Sequence, residues 1–218
     1  MNRRIFPVSA LLACCWLPAQ SPSASPAAAP AHDKAYASSI GFRYSLPSGW
    51  EVLDNPSSPD IRNPAGKSAP DAERRGIDCA QMVLTARHGN PPSVIVAVAL
   101  PYECFGEAMT EKDLPGFAHG VMKGADSSFD LSASVTATYD LGLHRLWVER
   151  SSATVKDHAE HAYTAETVCT LLKRGAACWM AIAADADALA AFEKGAVKLD
   201  GDELPALVPA TAFGGLSP

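Results

Sequence analysis

The sequence predicts an α+β fold in which a twisted antiparallel sheet packs against two helices. Three observations indicate this class: apolar, β-prone runs come in pairs joined by short turns, two segments space their apolar residues as a helix does, and four cysteines flank two of the turns symmetrically. Strand pairs with segregated helices form layered α+β domains. We therefore expect one such domain over residues 39–202 of the 218-residue chain.

The best-defined element is a hairpin over residues 163–184 that carries two of the cysteines. If its loop is the two residues Lys173–Arg174, Cys169 and Cys178 are directly opposed, and a non-hydrogen-bonded antiparallel pair brings Cα atoms to about 4.5 Å, inside the disulfide range. If Gly175 instead forms a bulge, the register slips by one residue and the two sulfurs face opposite sides of the sheet. The disulfide and the register are therefore predicted together.

Cys79 and Cys104 flank another turn in the same way, so we expect each cysteine to pair with its neighbour in the sequence. Four cysteines allow three connectivities, and the sequence alone does not choose among them. The chain has no C-x-x-C motif, which a zinc site or a redox site would use. An even number of cysteines in an exported chain favours structural disulfides.

The first residues have the layout of a secretory signal, with two arginines, an apolar run from Ile5 to Leu17, and then small residues. We predict a signal peptide over residues 1–19 and a disordered Pro-, Ala- and Ser-rich tether over residues 20–38. No segment of the chain reaches the roughly 20 apolar residues of a membrane span.

Two processing routes remain open for this leader. Cleavage before Gln20 suits ordinary signal peptidase, whereas Leu11-Leu12-Ala13-Cys14 resembles a bacterial lipobox, in which Cys14 is acylated. Both routes place the domain outside the cytoplasm, as a periplasmic, secreted or lipid-anchored protein.

Charge excludes one class of partner. The chain has 18 basic and 24 acidic residues, and removal of residues 1–19 takes away two arginines and no acid. A nucleic-acid duplex repels such a balance of charge. We therefore expect no nucleic-acid partner.

Period-two patterns and continuous apolar runs predict the strands. The expected pairs are two short strands around the turn Pro47-Ser48-Gly49 with Trp50 as a core anchor, strands over residues 77–87 and 93–100, and strands over residues 135–139 and 143–152, with Leu143 and Trp147 on one interior face. The run at residues 94–100 is typical of a central strand covered on both faces. The expected connections are a long surface loop over residues 54–76, a turn at residues 140–142 and a polar linker over residues 156–161.

Two helices are expected. The first has Asp113 as its N-cap and an apolar face formed by Leu114, Phe117, Ala118, Val121, Met122 and Ala125. The second is capped by Asp185, and its apolar stripe consists of Leu189, Phe192, Ala196 and Leu199. A flexible tail is predicted over residues 203–218.

One polar cluster contains side chains of the types that bind metal ions. His158, Glu160 and His161, near Asp157, lack the H-E-x-x-H spacing and fall in the predicted linker, which gives a metal ion no rigid frame. We therefore predict no metal site and no bound cofactor.

Three histidines, His88, His119 and His144, are candidate general bases. The chain has no G-x-S-x-G motif to supply a paired serine, and a triad assembled from distant residues is recognised only by its geometry. The sequence therefore identifies no catalytic residue.

The cysteines and tryptophans are interpreted as structural. Disulfide exchange needs a thiolate of low pKa, usually at a helix N-terminus, whereas Cys169 and Cys178 are in predicted strands. Trp50, Trp147 and Trp179 lie among apolar neighbours and are expected to fill the core.

The stretch from Phe42 to Trp50, an aromatic-x-aromatic strand that ends in Leu46-Pro47-Ser48-Gly49-Trp50, and the order of elements after it resemble the PsbP-like α/β/α sandwich group. The resemblance covers about residues 40–201. The group includes photosystem extrinsic subunits, a Ran-binding protein and bacterial lipoproteins of the LpqN type, and its members mostly bind partners and share no catalytic set. The resemblance implies a layered sandwich, although a fold by itself does not transfer a function.

The sequence therefore favours an exported, non-catalytic domain that binds a protein or another cell-envelope component. The alternative is a small secreted hydrolase whose Ser and His the sequence does not identify. A His within hydrogen-bond reach of a carboxylate or hydroxyl in a concave site indicates the enzyme. An exposed apolar patch or an unpaired sheet edge indicates the binding domain.

Overall fold

A computed structural model gives the fold. It describes residues 35–53, 79–104, 109–156, 158–193, 196–201 and 208–209. The predicted signal peptide, Cys14, most of the predicted tether and the predicted loop over residues 54–76 lie outside the described residues. Among the described residues, no helix is long and apolar enough to span a membrane.

Within the described residues, strands dominate and two α-helices interrupt them. The strands are β1 (Ala35–Ala37), β2 (Phe42–Ser45), β3 (Glu51–Val52), β4 (Gln81–His88), β5 (Ser93–Pro101), β6 (Phe129–Leu131), β7 (Val135–Leu141), β8 (His144–Val155), β9 (His158–Leu172), β10 (Gly175–Ala183), β11 (Ala196–Leu199) and β12 (Val208–Pro209). The helices are α1 (Leu114–Lys123), between β5 and β6, and α2 (Ala186–Glu193), between β10 and β11.

The strands form two antiparallel sheets. The large sheet has the order β12-β7-β8-β9-β10-β5-β4-β3, with β6 also paired to β8, and the small sheet has the order β1-β2-β11. The predicted α+β class, with a large antiparallel sheet and two helices, is confirmed.

The large sheet separates two apolar cores. Its central strands β5 and β10 are buried along their whole length, so the prediction of a central strand at residues 94–100 is confirmed. On one face, the small sheet and α2 enclose a core that includes Phe42, Trp179 and Phe192. On the other face, α1 encloses a core that includes Phe117 and Met122. The molecule therefore has three layers, with the large sheet in the middle.

The β9–β10 hairpin has the two-residue loop Lys173–Arg174, and Leu172 pairs with Gly175. Cys169 lies directly opposite Cys178, so the alternative with a bulge at Gly175 is not found. A Cβ atom on Gly175 would lie 2.5 Å from the carbonyl oxygen of Leu100 and 2.7 Å from Cδ1 of Ile40. Only glycine fits where the hairpin meets β5 and the segment before β2.

The strands around Pro47-Ser48-Gly49 exist, but they do not pair with each other. β2 joins the small sheet and β3 pairs with β4 in the large sheet. The turn thus carries the chain from one layer to the next. Trp50, at this crossing, is 5% exposed, and its ring stacks on His88 with the centroids 5.4 Å apart. Its predicted role as a core anchor is confirmed.

The β7–β8 hairpin turns one position later than expected. Its loop is Gly142–Leu143, because Leu141 pairs with His144. Gly142 has a φ of 62°, which suits the first position of a type II′ two-residue loop and which glycine adopts without strain. Leu143 consequently lies in the turn and is 97% exposed, so its expected interior position beside Trp147 is wrong.

The polar linker predicted over residues 156–161 is also wrong, because β8 continues to Val155 and β9 begins at His158. The two strands form a long hairpin, and exposed residues such as His161 and Ala162 belong to its end. Polar residues are compatible with a strand wherever it is not covered by another layer.

The first helix has the predicted apolar face, and all six predicted residues are buried, although Ala125 lies in the 3-10 turn that follows the helix. Asp113 is at its N-cap position, as expected, but the Asp113 side chain bonds in the other direction. The Asp113 carboxylate accepts hydrogen bonds of 2.8 Å from the backbone N–H and the hydroxyl of Thr110, and it makes no side-chain capping bond to the first turn of α1. These bonds stabilise the short 3-10 turn at Glu111–Asp113 that leads into the helix.

The second helix is capped as predicted, since the backbone N–H of Ala188 donates a 2.7 Å hydrogen bond to Asp185 Oδ1. It ends at Glu193, so the expectation that Ala196 and Leu199 continue its stripe is wrong. They belong to β11, where Val197 and Leu199 are buried and Lys198 is exposed. This short stretch fits a period of two as well as it fits helical spacing.

Part of the predicted flexible tail is a strand. Val208 pairs with Asp140 and Pro209 with Tyr139, which adds β12 to the outer side of β7. The other residues of the tail, apart from 208–209, lie outside the described residues.

Candidate functional site

Both predicted cysteine pairs are joined in the structure. Cys169 and Cys178, with Cα atoms 4.2 Å apart, connect the middle of the β9–β10 hairpin on the face that α1 covers. Cys79 and Cys104, with Cα atoms 5.7 Å apart, connect the start of β4 to the 3-10 turn that follows β5. Each disulfide joins the two arms of one hairpin at a point away from its turn. We therefore interpret both disulfides as structural.

His119 and Glu149 form a pair between α1 and β8. The His119 Nδ1 atom lies 3.2 Å from Glu149 Oε1. The His119 side chain is 67% exposed, whereas that of Glu149 is 4% exposed. Burial of a carboxylate is costly unless it has a polar partner, and here the imidazole supplies one.

The environment of Glu149 in the sheet is also polar. Thr136 of β7 and Thr167 of β9 lie directly opposite it on the two neighbouring strands. A neutral His119 that donates its Nδ1 proton to Glu149 keeps Nε2 as a proton acceptor. This is the arrangement of a general base with an orienting carboxylate.

His144 has a different environment. Its Nδ1 atom lies 3.1 Å from the carbonyl oxygen of Leu171, so this nitrogen donates a hydrogen bond. Its Nε2 atom lies 3.7 Å from Asp200 Oδ2, which is longer than a hydrogen bond. The Asp200 carboxylate also accepts the backbone N–H of Lys173 at 3.2 Å. His144 and Asp200 are both nearly buried and connect the large sheet to the end of the small sheet, so we interpret them as structural.

His88, the third candidate base, is exposed and lies with Nδ1 2.9 Å from the carbonyl oxygen of Gly49. It fixes the turn before β3 against the end of β4. Within the described residues, the hydrogen-bond partners of these three histidines are a backbone carbonyl, a carboxylate and another backbone carbonyl, and none is a serine hydroxyl. The structure thus brings one candidate base within hydrogen-bond distance of a carboxylate, and the described residues form no catalytic triad.

Arg150, Glu166 and Glu193 form an ionic cluster on the face opposite α1. Arg150 Nε donates a 2.6 Å hydrogen bond to Glu166 Oε2, and the same guanidinium also bonds Glu193 at the end of α2. Burial raises the pKa of Glu166 above its ordinary value, although attraction to Arg150 opposes this shift. Burial acts to lower the pKa of Arg150, but attraction to Glu166 and Glu193 outweighs burial and raises it. The cluster fastens α2 to β8 and β9.

The remaining sequence candidates do not gather into a site. Among the described residues, no group of three metal-ligating side chains lies close enough to hold an ion. His161 is exposed on β9, and the side chains of His158 and Glu160, together with Asp157, lie outside the description. Trp50 and Trp179 are buried in one core, as expected, and Trp147 is half-buried on the other face.

Comparison with known proteins yields one type of similarity. No protein-family model matches the chain. No curated protein matches it in sequence. Among solved structures, the chain is similar to the solution structure of cyanobacterial PsbP (CyanoP) from Synechocystis sp. PCC 6803, with a TM-score of 0.38 and 14% sequence identity over 73% of this chain and 84% of that chain.

Five of the residues in these pairs and clusters are not singled out by the sequence: Glu149, Arg150, Glu166, Glu193 and Asp200. Glu166 had one usable signal, since it is an acidic residue among the small, apolar and β-branched residues of 163–172, whereas Glu149 stands between Val148 and Arg150. An acid in such a position needs a partner. The identity of that partner depends on which helix crosses the strand, and local sequence does not contain this information.

Proposed function

We propose that the protein is an exported, non-catalytic domain that binds a protein of the cell envelope through the outer edge of β7. We define the β7 edge as the backbone of Val135–Thr138 on the side away from β8. β12 pairs with β7 only at Tyr139 and Asp140, and no other strand of the described residues pairs with the β7 edge. This is the observation that supports the proposal.

An open strand edge offers a row of N–H and C=O groups to an incoming extended segment. Val135, at the start of this edge, is 48% exposed and is one of only three large apolar residues exposed among the described residues. Main-chain bonds supply affinity in such complexes and exposed side chains supply selectivity. The edge therefore suits an extended segment of a protein partner better than it suits a lipid or a polysaccharide.

Export and oxidation are part of the same proposal. The proposal includes the predicted signal peptide, with acylation of Cys14 as the alternative processing route. Either route would place the domain outside the cytoplasm. Two disulfides are compatible with an oxidising compartment. We also propose that this chain is related to the PsbP-like group, which includes the LpqN-type lipoproteins.

A charge placed on the edge tests the proposed surface. Val135→Lys introduces a side chain that opposes strand pairing, and Val52→Lys places the same charge on β3, at the other end of the large sheet, where valine is 37% exposed. With immobilised mature domain and a cell-envelope extract, we expect a specific partner to be retained by the wild type and by Val52→Lys and lost with Val135→Lys. Equal retention by all three proteins would contradict the proposed surface.

The second candidate function is hydrolysis, and the His119–Glu149 pair is the observation that favours it. His119→Gln keeps a hydrogen-bond donor toward Glu149 but removes the proton acceptor. The binding role predicts no turnover of a panel of nitrophenyl esters and glycosides by the wild type. Turnover that is abolished in His119→Gln and retained in His88→Gln would establish the hydrolase instead.

A further inference from the structure

Both disulfides are structural in the oxidised domain, but they differ in their access to solvent. Cys169 and Cys178 are 0% exposed and belong to the core that α1 encloses. Cys79 and Cys104 are half-buried, and they lie just before β4 and in the turn after β5. A thiolate reduces a disulfide by contacting one of its sulfur atoms, so access decides which bond reacts in the folded domain.

The Cys169–Cys178 bond lies in the interior of the large sheet. Its strands, β9 and β10, are flanked by β8 on one side and by β5 on the other. Phe117 and Met122 of α1 belong to the same core as both cysteines. A reductant reaches this bond only after α1 or the sheet opens, and a packed core opens rarely.

The Cys79–Cys104 bond lies outside the regular pairing of its two strands. The register of β4 with β5 begins at Gln81, opposite Ala99. Cys104 belongs to the 3-10 turn that follows β5, and none of the residues of that turn is buried. A reductant can therefore break this bond without opening a strand pair.

We propose that Cys79–Cys104 is a reduction site, at which a dithiol opens the bond in the folded domain and leaves Cys169–Cys178 intact. One thiolate of the dithiol attacks one of the two sulfurs, and the other sulfur leaves as a thiolate. The second thiol then attacks the reductant's own sulfur in the mixed disulfide and releases the second cysteine. The dithiol becomes a disulfide, and its two electrons, with two protons, convert Cys79 and Cys104 to thiols. The domain is the substrate of this exchange and not its catalyst.

Reduction would release a defined contact. Cys104 ends the 3-10 turn Tyr102–Cys104, in which the N–H of Tyr102 donates a 3.0 Å hydrogen bond to the carbonyl oxygen of Arg174 in the β9–β10 loop. The disulfide holds this turn to the start of β4. The reduced domain should therefore keep its sheets and loosen the turn. The β7 edge lies at the other end of the strand order, so the reduction site is separate from the proposed binding surface.

Thiol labelling of the oxidised mature protein tests the site. The protein is incubated with dithiothreitol, free thiols are labelled with iodoacetamide at successive times, and the labelled peptides are identified by mass spectrometry. We expect labelling of Cys79 and Cys104 to be about tenfold or more faster than labelling of Cys169 and Cys178. In urea, where the protein is unfolded, both pairs should react at similar rates. Similar rates in the folded protein, or no labelling of Cys79 and Cys104 until it unfolds, would overturn the proposal.

A double variant that lacks the inner bond is the matched control. The protein with Cys169→Ala and Cys178→Ala should keep the fast reaction, because its outer bond is unchanged. Absence of the fast reaction in this variant would show that the inner bond is the one that reacts, and would overturn the assignment.

Amide hydrogen exchange, measured by NMR on the selectively reduced and alkylated protein, tests the consequence. We expect the Tyr102 amide to exchange about tenfold or more faster than in the oxidised protein, while the amides of β10 stay protected. Unchanged exchange at Tyr102 would contradict the release of the turn. Loss of protection throughout β10 would show that this bond is not broken in a folded domain, and would overturn the proposal.

Discussion

At the scale of single residues, the molecule buries two glutamates and gives each a different partner. Glu149 has an exposed histidine as its partner, whereas Glu166 has an arginine that also holds the end of α2. Buried charges are tolerated only with such partners, and breaking a buried pair costs more than forming it contributes. These residues therefore determine how the helices are fastened to the large sheet.

The buried carboxyl of Glu166 predicts a specific pH dependence. Burial keeps the pKa of Glu166 above its ordinary value of 4.5 in the folded chain, so the folded state binds more protons than the unfolded state. The free energy of unfolding should consequently fall as pH rises from about the ordinary value through the raised one. Glu166→Gln removes this contribution, so its stability should decrease less over the same range.

Urea unfolding at a series of pH values measures this effect. Glu51→Gln is the matched control, because Glu51 is 65% exposed and paired with Arg87 at the surface. It should retain the slope of the wild type. An unchanged slope in Glu166→Gln would show that Glu166 titrates alike in both states.

Gly175 gives a second prediction at the residue scale. In Gly175→Ala, the new methyl group would contact the Leu100 carbonyl oxygen at 2.5 Å, and backbone atoms do not move easily. We expect a loss of about 2 kcal/mol or more in the free energy of unfolding. Gly142→Ala, a control at a turn with a φ of 62°, should cost only about 1 kcal/mol from backbone strain. Similar, small losses for both variants in chemical denaturation would contradict the close approach.

At the scale of elements, hairpins are the units that the sequence predicts best. The β9–β10 register follows from the placement of two cysteines around two turn residues, and β5 follows from an uninterrupted apolar run. The β7–β8 loop lies later in the sequence than predicted, because the position of a single glycine, and not the polarity around it, selects the loop. The β11 segment fits a helical prediction as well, because a stretch of only four residues is compatible with both periods.

The disulfides predict unequal stabilisation of the two hairpins. Each bond should contribute about 3 kcal/mol, with the larger effect for Cys79–Cys104, because it closes a separation of 25 residues against 9 for Cys169–Cys178. We expect each double alanine variant to unfold at lower urea concentration than the oxidised wild type. Reductant should lower the stability of the wild type further than that of either variant, and no effect of reductant on the wild type would contradict this prediction.

At the scale of the whole molecule, layering is the property that local sequence describes least. The turn at Pro47-Ser48-Gly49 has the chemistry of a hairpin, yet the strands around it enter different sheets. The second sheet was not expected, because β11 comes from a distant part of the chain to pair with β2. The His119–Glu149 pair was not predicted for the same reason, since it depends on where α1 crosses β8. Sequence predicts which faces are apolar, whereas the choice of the element that covers each face is a tertiary property.

The proposed role requires a chain that is exported, loses its leader and is closed by two disulfides in a three-layered domain. The mass of the intact protein, purified from its native cells without reductant, tests this most directly. We predict a chain that begins at Gln20, or at an acylated Cys14, and that gains four hydrogens on reduction. A chain that still begins at Met1 and carries free thiols at Cys79, Cys104, Cys169 and Cys178 would contradict the account.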